Sequence, residues 1–272
     1  MQSIVITGAS SGIGKATAKY FAAQGWKVAA TMRTPSKETE LTEIENVSVY
    51  QLDVTDNDSI SAASTQILSD FETVDVLLNN AGYGLAGPFE AATREQIRTQ
   101  FDTNVFGLME VTRAFLPHLR GNKSGVILNV SSIGGLITFP YISLYHSTKW
   151  AVEGFSESLY YELAQVGVQV KIIEPGGVST DFGGRSLVMA MPDESLAEYL
   201  PSVQKFMANR EANGSAGFST AEYLAEEIFK AATDGTDQLR YVIGADAVQL
   251  FDMRKEHGDQ AFIAGMAQRS FS

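Results

Sequence analysis

Ser3-Ile4-Val5-Ile6-Thr7-Gly8-Ala9-Ser10-Ser11-Gly12-Ile13-Gly14 decides the fold of this chain. Ser3–Thr7 is an apolar, β-branched run and reads as a buried strand. Gly14–Gln24, with Ala16, Phe21 and Ala22 among its apolar positions, reads as the helix that follows. The turn between them is rich in glycine. Glycine permits tight backbone angles and lets a pyrophosphate approach the main chain. The helix N-terminus adds free N–H groups and the positive end of its dipole. The spacing is Gly-x3-Gly-x-Gly, not the commoner Gly-x-Gly-x2-Gly. Its place between a first strand and an amphipathic helix favours a dinucleotide-binding turn, lined by Gly8, Ser10, Ser11, Gly12, Ile13 and Gly14, over a small-residue turn that holds nothing.

Working outward, β-branched runs alternate with helical patterns. Strands are expected at Val28–Met32, Val47–Leu52, Val74–Asn79, Gly125–Ser131 and Val168–Glu174, the last stopped by Pro175-Gly176. Helices are expected at Ser59–Phe71, Glu95–Leu119 and Tyr145–Gln165, the last two ended by glycine. The rhythm breaks after Asp181. Residues 182–217 carry glycines, methionines and mixed helical signals with no clear strand, and read as a segment covering the site. Ala221–Thr233 reads as a helix, Leu239–Gly244 as a seventh, edge-like strand, and 245–272 as a mostly helical tail. Such alternation with short connections implies an α/β fold: a Rossmann-type, doubly wound parallel sheet of about seven strands with helices on both faces, a three-layer αβα sandwich. A single domain, 1–272, is expected.

The composition is that of an ordinary globular protein, 44% hydrophobic and 19% charged. A net charge of −12 argues against nucleic acid as the main partner, without excluding a cofactor phosphate at a local basic site. The absence of cysteine removes disulfides, thiolate metal sites and a cysteine nucleophile. His118, His146 and His257 are scattered without ligand spacing, so no metal site is expected. No signal peptide is recognisable, and no apolar stretch reaches the ~18 residues of a membrane span. A cytoplasmic protein is the expectation.

Tyr145 and Lys149 stand four apart in Ser143-Leu144-Tyr145-His146-Ser147-Thr148-Lys149, one turn apart on one helix face. A phenol titrates near ~10, and a neighbouring ammonium favours the phenolate and lowers that value. His146, one residue on, points to another face and reads as surface or packing. At the end of the second strand the chain reads Ala30-Thr31-Met32-Arg33-Thr34. An acid there would take the 2′-hydroxyl of NAD, whereas an arginine suits a 2′-phosphate. Arg33 therefore favours NADP(H) over NAD(H), against the alternative of a solvated surface charge. Ser11 stands where a basic residue would have made a second phosphate contact.

Together these segments resemble the short-chain dehydrogenase/reductase family, in its shorter single-domain branch, over nearly the whole chain from Ser3 to about Ala245. The family's glycine turn matches Thr7–Gly14, and its Asn-Asn-Ala-Gly segment matches Asn79-Asn80-Ala81-Gly82. Its Tyr-x3-Lys pair is Tyr145 and Lys149, and its Pro-Gly turn with a following Thr is Pro175-Gly176-Gly177-Val178-Ser179-Thr180. The resemblance implies Asn104, Ser132, Tyr145 and Lys149 as catalytic residues. It implies Asp53 and Val54 at the adenine, Asn80, Ala81 and Gly82 along the cofactor, and Pro175, Gly176, Val178 and Thr180 about the carboxamide. It implies hydride transfer between nicotinamide and a carbonyl or alcohol carbon. In that reading Tyr145 is the proton donor, Ser132 supports the developing alkoxide, and Lys149 also bonds the nicotinamide ribose. Asn104 would hold a water that connects Lys149 to solvent, or serve as a buried structural amide. Asn79 and Asn80 are read as braces of the central crevice. Homodimers or homotetramers, built on the two long helices, are also implied.

The substrate is legible only as a class. Ser132, Tyr83, Thr138, Phe139 and Phe182, with Leu85, Leu136 and Tyr141, would line a mostly apolar site for a small-molecule ketone, aldehyde or secondary alcohol. The alternatives are an NAD-dependent alcohol dehydrogenase and a non-catalytic dinucleotide sensor on the same fold. The complete set Asn104, Ser132, Tyr145 and Lys149 speaks against the sensor.

Overall fold

The computed structural model describes residues 1–180, 186–213 (backbone alone from 210) and 217–271. The elements that build its centre are β1 (Ser3–Ile6), α1 (Gly12–Ala23), β2 (Lys27–Met32), β3 (Val47–Gln51), α2 (Asn57–Phe71) and β4 (Val76–Asn79). There follow β5 (Gly84–Ala86), α3 (Arg94–Phe101), α4 (Gly107–Asn122), β6 (Val126–Val130), α5 (Ser143–Ala164) and β7 (Gln169–Pro175). The remainder is β8 (Val178–Ser179), β9 (Leu187–Met189), α6 (Leu200–Asn213), β10 (Ser219–Thr220), α7 (Ala221–Thr233), β11 (Arg240–Ile243) and α8 (Ala245–Phe271).

Seven strands form one parallel sheet in the order β11-β7-β6-β4-β1-β2-β3, the expected doubly wound arrangement. The strands are buried on both faces, which explains their near-continuous apolar character. One layer packs Phe21 and Trp26, from α1 and its exit, with Leu224 and Ile228 of α7. The other packs Ile67 of α2, Phe115 and Leu119 of α4, and Leu159 and Leu163 of α5. Helix starts are fixed locally. Asp56 accepts from Asp58 and Ser59 N–H ahead of α2, Thr93 and Gln96 form a capping box on α3, and Thr220 caps α7. The direction of winding reverses between β1 and β4, so the crevice for a ligand lies at their carboxyl ends.

Two expectations need correction. The helix expected as one piece at Glu95–Leu119 is α3 and α4 joined by a π-helical turn at Asp102–Phe106. The extra residue of such a turn shifts the facing of the side chains around it. The stretch 182–217, read as lacking a strand, contains β9, which pairs in parallel with β5 through Leu187–Gly84 and Met189–Ala86. Three residues paired only with another three-residue strand give too short a run for alternation to show. The tail is helical but broken at Gly258, whose φ of 77° a helix does not accept.

Candidate active site

All the motif residues stand at the carboxyl edge of the sheet. The glycine turn follows β1, Asn80–Gly82 follow β4, Ser131 and Ser132 follow β6, and Gly176 and Gly177 follow β7. Thr7 ties the first two together. Its hydroxyl oxygen accepts the N–H of Asn80 at 2.9 Å and of Ala81 at 3.0 Å. Asn80 returns the contact, donating through Nδ2 to the carbonyls of Thr7 at 2.9 Å and Gly8 at 3.2 Å. Gly8 holds φ +69°, and a Cβ there would lie 2.8 Å from Ala81 Cα. A Cβ on Gly14 would lie 2.5 Å from both Asn80 Nδ2 and Gly8 O. Both glycines are thus required by close packing. Asn79 donates to Thr112 Oγ1 and Asn129 Oδ1, both at 2.9 Å, and bridges β4, β6 and α4 beneath the crevice.

The turn suits a dinucleotide's phosphates. Ser11, the residue ahead of α1, makes no side-chain cap, so the first-turn N–H groups are left to a ligand. Gly12, at φ +54°, faces Thr180, whose Cβ would stand 3.6 Å from a side chain placed there. The pyrophosphate turn and the end of the Pro175–Thr180 segment therefore border one space. Asp246 at the start of α8 holds that segment by accepting Gly177 N–H at 2.7 Å. A Cβ on Gly176 would stand 2.3 Å from Asp246 Oδ1. Sequence reasoning missed Asp246, since nothing near it in the chain marks it. Arg33 is exposed at the end of β2 and makes no ion pair among the described residues. Glu38, a buried acid five residues on, is occupied by Lys15 at 3.1 Å and by the N–H groups of Glu40 and Leu41. Asp53 turns on itself, with Oδ1 accepting from Thr55 N and Oγ1.

Ser132, Tyr145 and Lys149 are brought together by the β6 exit and the first two turns of α5. The Tyr145 phenol is hydrogen-bonded to the Ser132 hydroxyl, which also accepts Gly134 N–H at 3.0 Å. Lys149 is buried, with its ammonium 5.6 Å from the centre of the Tyr145 ring, and donates to Val130 O at 2.8 Å. Burial pushes the phenol up to about 12, against a smaller downward pull from Ser132. Burial also pushes Lys149 down to about 8, opposed by the charge of Glu153. The sequence led us to expect a phenol lowered by its lysine. Instead, desolvation outweighs the pull of Ser132, and at neutral pH the pair is a neutral phenol above a largely charged lysine.

Asn104 is carried inward by the π-turn and is 2% exposed. Its amide clamps the backbone of Tyr83, accepting from N at 3.1 Å and donating to O at 2.9 Å, and it also donates to Thr148 Oγ1 at 3.1 Å. His146 is buried packing, its imidazole pushed down to about 4 by desolvation. Among the expected lining residues, Tyr83 and Tyr141 are half-buried and Thr138 is exposed. Phe139 and Leu136 pack onto a cluster with Ile133, Ile137, Ala247 and Phe262, beneath the last helix. Leu85 is corrected to core, because it is 2% exposed and packs on Leu144 and Ala190. Tyr141 reaches α6, its hydroxyl 2.5 Å from Ser202 Oγ and its ring 5.5 Å from Phe206. Phe182 lies outside the described residues. No cluster of three metal-ligating side chains occurs, and no helix is long and apolar enough to cross a membrane, among the described residues.

Comparison with known proteins agrees with this geometry. Residues 2–187 match the family described as short chain dehydrogenase. An uncharacterised oxidoreductase of Schizosaccharomyces pombe is 42% identical over 86% of this chain and 97% of its own. A 3-ketodihydrosphingosine reductase of Bacteroides thetaiotaomicron is 39% identical over 78% of each. Among solved structures, a short-chain dehydrogenase from Streptomyces avermitilis superposes with a TM-score of 0.82 at 32% identity, covering 94% of this chain and 92% of that one. An alcohol dehydrogenase of Thermococcus sibiricus complexed with 5-hydroxy-NADP gives 0.73 at 26% identity, covering 90% and 97%. A 3-ketoacyl-(acyl-carrier-protein) reductase of Brucella melitensis complexed with NADH gives 0.75 at 26% identity, covering 89% and 96%. The chain belongs to the short-chain dehydrogenase/reductase family, whose members are oxidoreductases of CH–OH and C=O groups with structural representatives that bind NADP or NAD.

Proposed function

We propose that this protein is an NADP(H)-dependent reductase of an apolar ketone or aldehyde, working in reverse as a secondary-alcohol dehydrogenase. The observation that carries the reading is the neutral Tyr145 phenol, joined to Ser132 and set above buried Lys149 at the mouth of the crevice. When bound, the nicotinamide supplies or accepts the hydride. Tyr145 gives its proton to the substrate oxygen, general acid catalysis worth typically ~10²–10⁴-fold. Ser132 donates a hydrogen bond to the oxygen as it gains negative charge. Lys149 offsets the phenolate that the transfer leaves behind, which in so dry a place is costly without a counter-charge. Asn104 serves both as the brace of Tyr83 and as the polar anchor of the proton route from Lys149 to solvent.

The preference for NADP(H) rests on Arg33, exposed and unpaired where an acid would be needed for NAD, with Glu38 already occupied by Lys15. An apolar substrate is supported by the ketone named for the Bacteroides relative. Residues 186–213 of the expected covering segment cover the site in this reading, the rest of that segment lying outside the described residues except 217. The exposed Phe106, Trp150 and Tyr161 along the two long helices support a homo-oligomer. The experiment is consumption of NADPH and NADH against carbonyls graded from small aldehydes to long-chain and steroid-sized ketones. NADPH-dependent turnover is expected. Arg33→Ala should weaken NADPH binding by about 10–100-fold, the worth of a charge-assisted bond, and leave NADH unchanged. Equal loss for both cofactors would return the assignment to an NAD-dependent dehydrogenase.

A further inference from the structure

Below Lys149 lies a second group of buried charges that the reaction as described does not use. Glu153, one turn further along α5, is 6% exposed, and Glu174 of β7 is 0% exposed. Arg240 of β11 closes the group from the side. Its Nε stands 3.0 Å from Glu153 Oε2 and 3.4 Å from Glu174 Oε1, and its Nη2 donates to Glu157 at 2.6 Å. Gly135 makes room for it, since a Cβ there would stand 2.6 Å from Ser131 Oγ and 3.0 Å from Glu153 Oε1. Among the described residues, no N–H or hydroxyl donates to either oxygen of Glu174 or to Glu153 Oε1.

A buried carboxylate without donors is expensive, and two side by side more so. Glu153 and Glu174 converge on one atom, Arg240 Nε, at 3.0 and 3.4 Å, and two carboxyls buried so close together about a single guanidinium cannot both ionise cheaply. Burial, followed by the charge of Glu153, holds Glu174 far above the ordinary carboxylate range, against weaker pulls from Arg240 and Lys255. The charged groups that act on it are Glu153 on α5, Arg240 on β11 and Lys255 on α8, while Glu157 bonds Arg240 and Lys149 feels Glu153. The guanidinium bonds two partners, Glu153 and Glu157, and meets Glu174 only at ion-pair distance. That geometry puts the proton on Glu174 and the charge on Glu153, the one lying a single helical turn from Lys149.

We propose that Glu153 and Glu174 hold one proton between them, and that the single charge left on the pair keeps Lys149 an ammonium beneath the phenol. Both are positioning residues, and the proposal rests on the catalytic reading of Lys149. The pair supplies, inside the sheet, the counter-charge that a lysine emptied of water would otherwise lack. Without it, Lys149 would lose its proton in the physiological range and leave the phenolate uncompensated.

The test uses the full chain and does not depend on finding the substrate. With glutamate labelled at the carboxyl carbon, NMR at pH 7 should show one carboxyl at the protonated position, lost in Glu174→Gln. With lysine labelled at Cε, the Lys149 midpoint should fall by about one unit or more in Glu153→Gln, the effect of removing a close opposite charge. It should stay in place in Glu174→Gln, which leaves the charge on Glu153. All glutamate carbons at the ionised position, or an unmoved lysine midpoint in Glu153→Gln, would overturn the proposal. Should Glu153→Gln not fold, the wild-type carboxyl spectrum decides alone. Both NMR results in an inert protein would count against the reductase reading and leave the pair standing.

Discussion

Replacing Lys149 by Met should make the protein more stable while removing its turnover. Lys149 is 7% exposed, and burial lowers it from 10.5 to about 8. A shift of that size, at ~1.4 kcal/mol per unit, means the charged lysine costs the folded state on the order of 3 kcal/mol at neutral pH. Met fills much the same volume and carries no charge. The substitution also deletes the hydrogen bond to Val130 O, worth ~1 kcal/mol. The net expectation is a gain of about 2 kcal/mol at pH 7. The sign of the pH dependence follows. The folded-state pKa lies below the unfolded one, so between about 8 and 10.5 the unfolded chain binds more protons and the wild type gains stability with rising pH. The advantage of the variant is therefore constant below pH 8, shrinks across that window, and ends as a small deficit from the lost bond. Urea unfolding of both proteins at equal concentration, at pH 7 and pH 10, reads the difference directly, and contributions from other groups cancel. A Met variant less stable than wild type at pH 7, or a difference independent of pH, would refute the reasoning. A lysine kept where it weakens the fold is kept for what it does.

Gly14→Ala should weaken dinucleotide binding by about 5–150-fold, since its Cβ meets Asn80 Nδ2 and Gly8 O at 2.5 Å and overpacking costs ~1–3 kcal/mol. Titration by cofactor fluorescence checks it, and unchanged affinity would contradict the packing argument. Ser132→Ala should lower kcat by about 10²–10³-fold with a smaller change in KM, because its bond to the substrate oxygen strengthens in the transition state. A rise in KM alone would place Ser132 in ground-state binding.

The fold was readable because its signals are local. Burial on both faces makes β1 and β6 mostly apolar runs, and Ala221–Thr233 carries a clear stripe bounded by Thr220, so its limits match the structure to the residue. Several of the motif segments, the glycine turn, Asn80–Gly82, Ser132 and Pro175–Gly177, stand at strand exits, whereas Tyr145 and Lys149 lie on α5 and Asn104 in the π-turn. What escaped depends on the third dimension. The π-turn of Asp102–Phe106 leaves the helical pattern nearly intact while turning Asn104 inward. β9 exists only because β5 is there to pair with it. The direction of the Tyr145 shift could not be drawn from its spacing to Lys149, because spacing says nothing of the burial that sets it. Asp246 and the Glu153–Glu174 pair are joined across dozens of residues by sheet order alone.

The central claim, that the Tyr145 phenol is the proton donor of an NADPH-dependent reduction, is tested most directly by Tyr145→Phe. Cofactor affinity and turnover would be measured on the same preparations, with a ketone that the wild type reduces. The variant should bind NADPH as the wild type does and lose about 10²–10⁴-fold in turnover, the share of a general acid. Turnover within a few-fold of wild type, with the cofactor equally bound, would contradict the account.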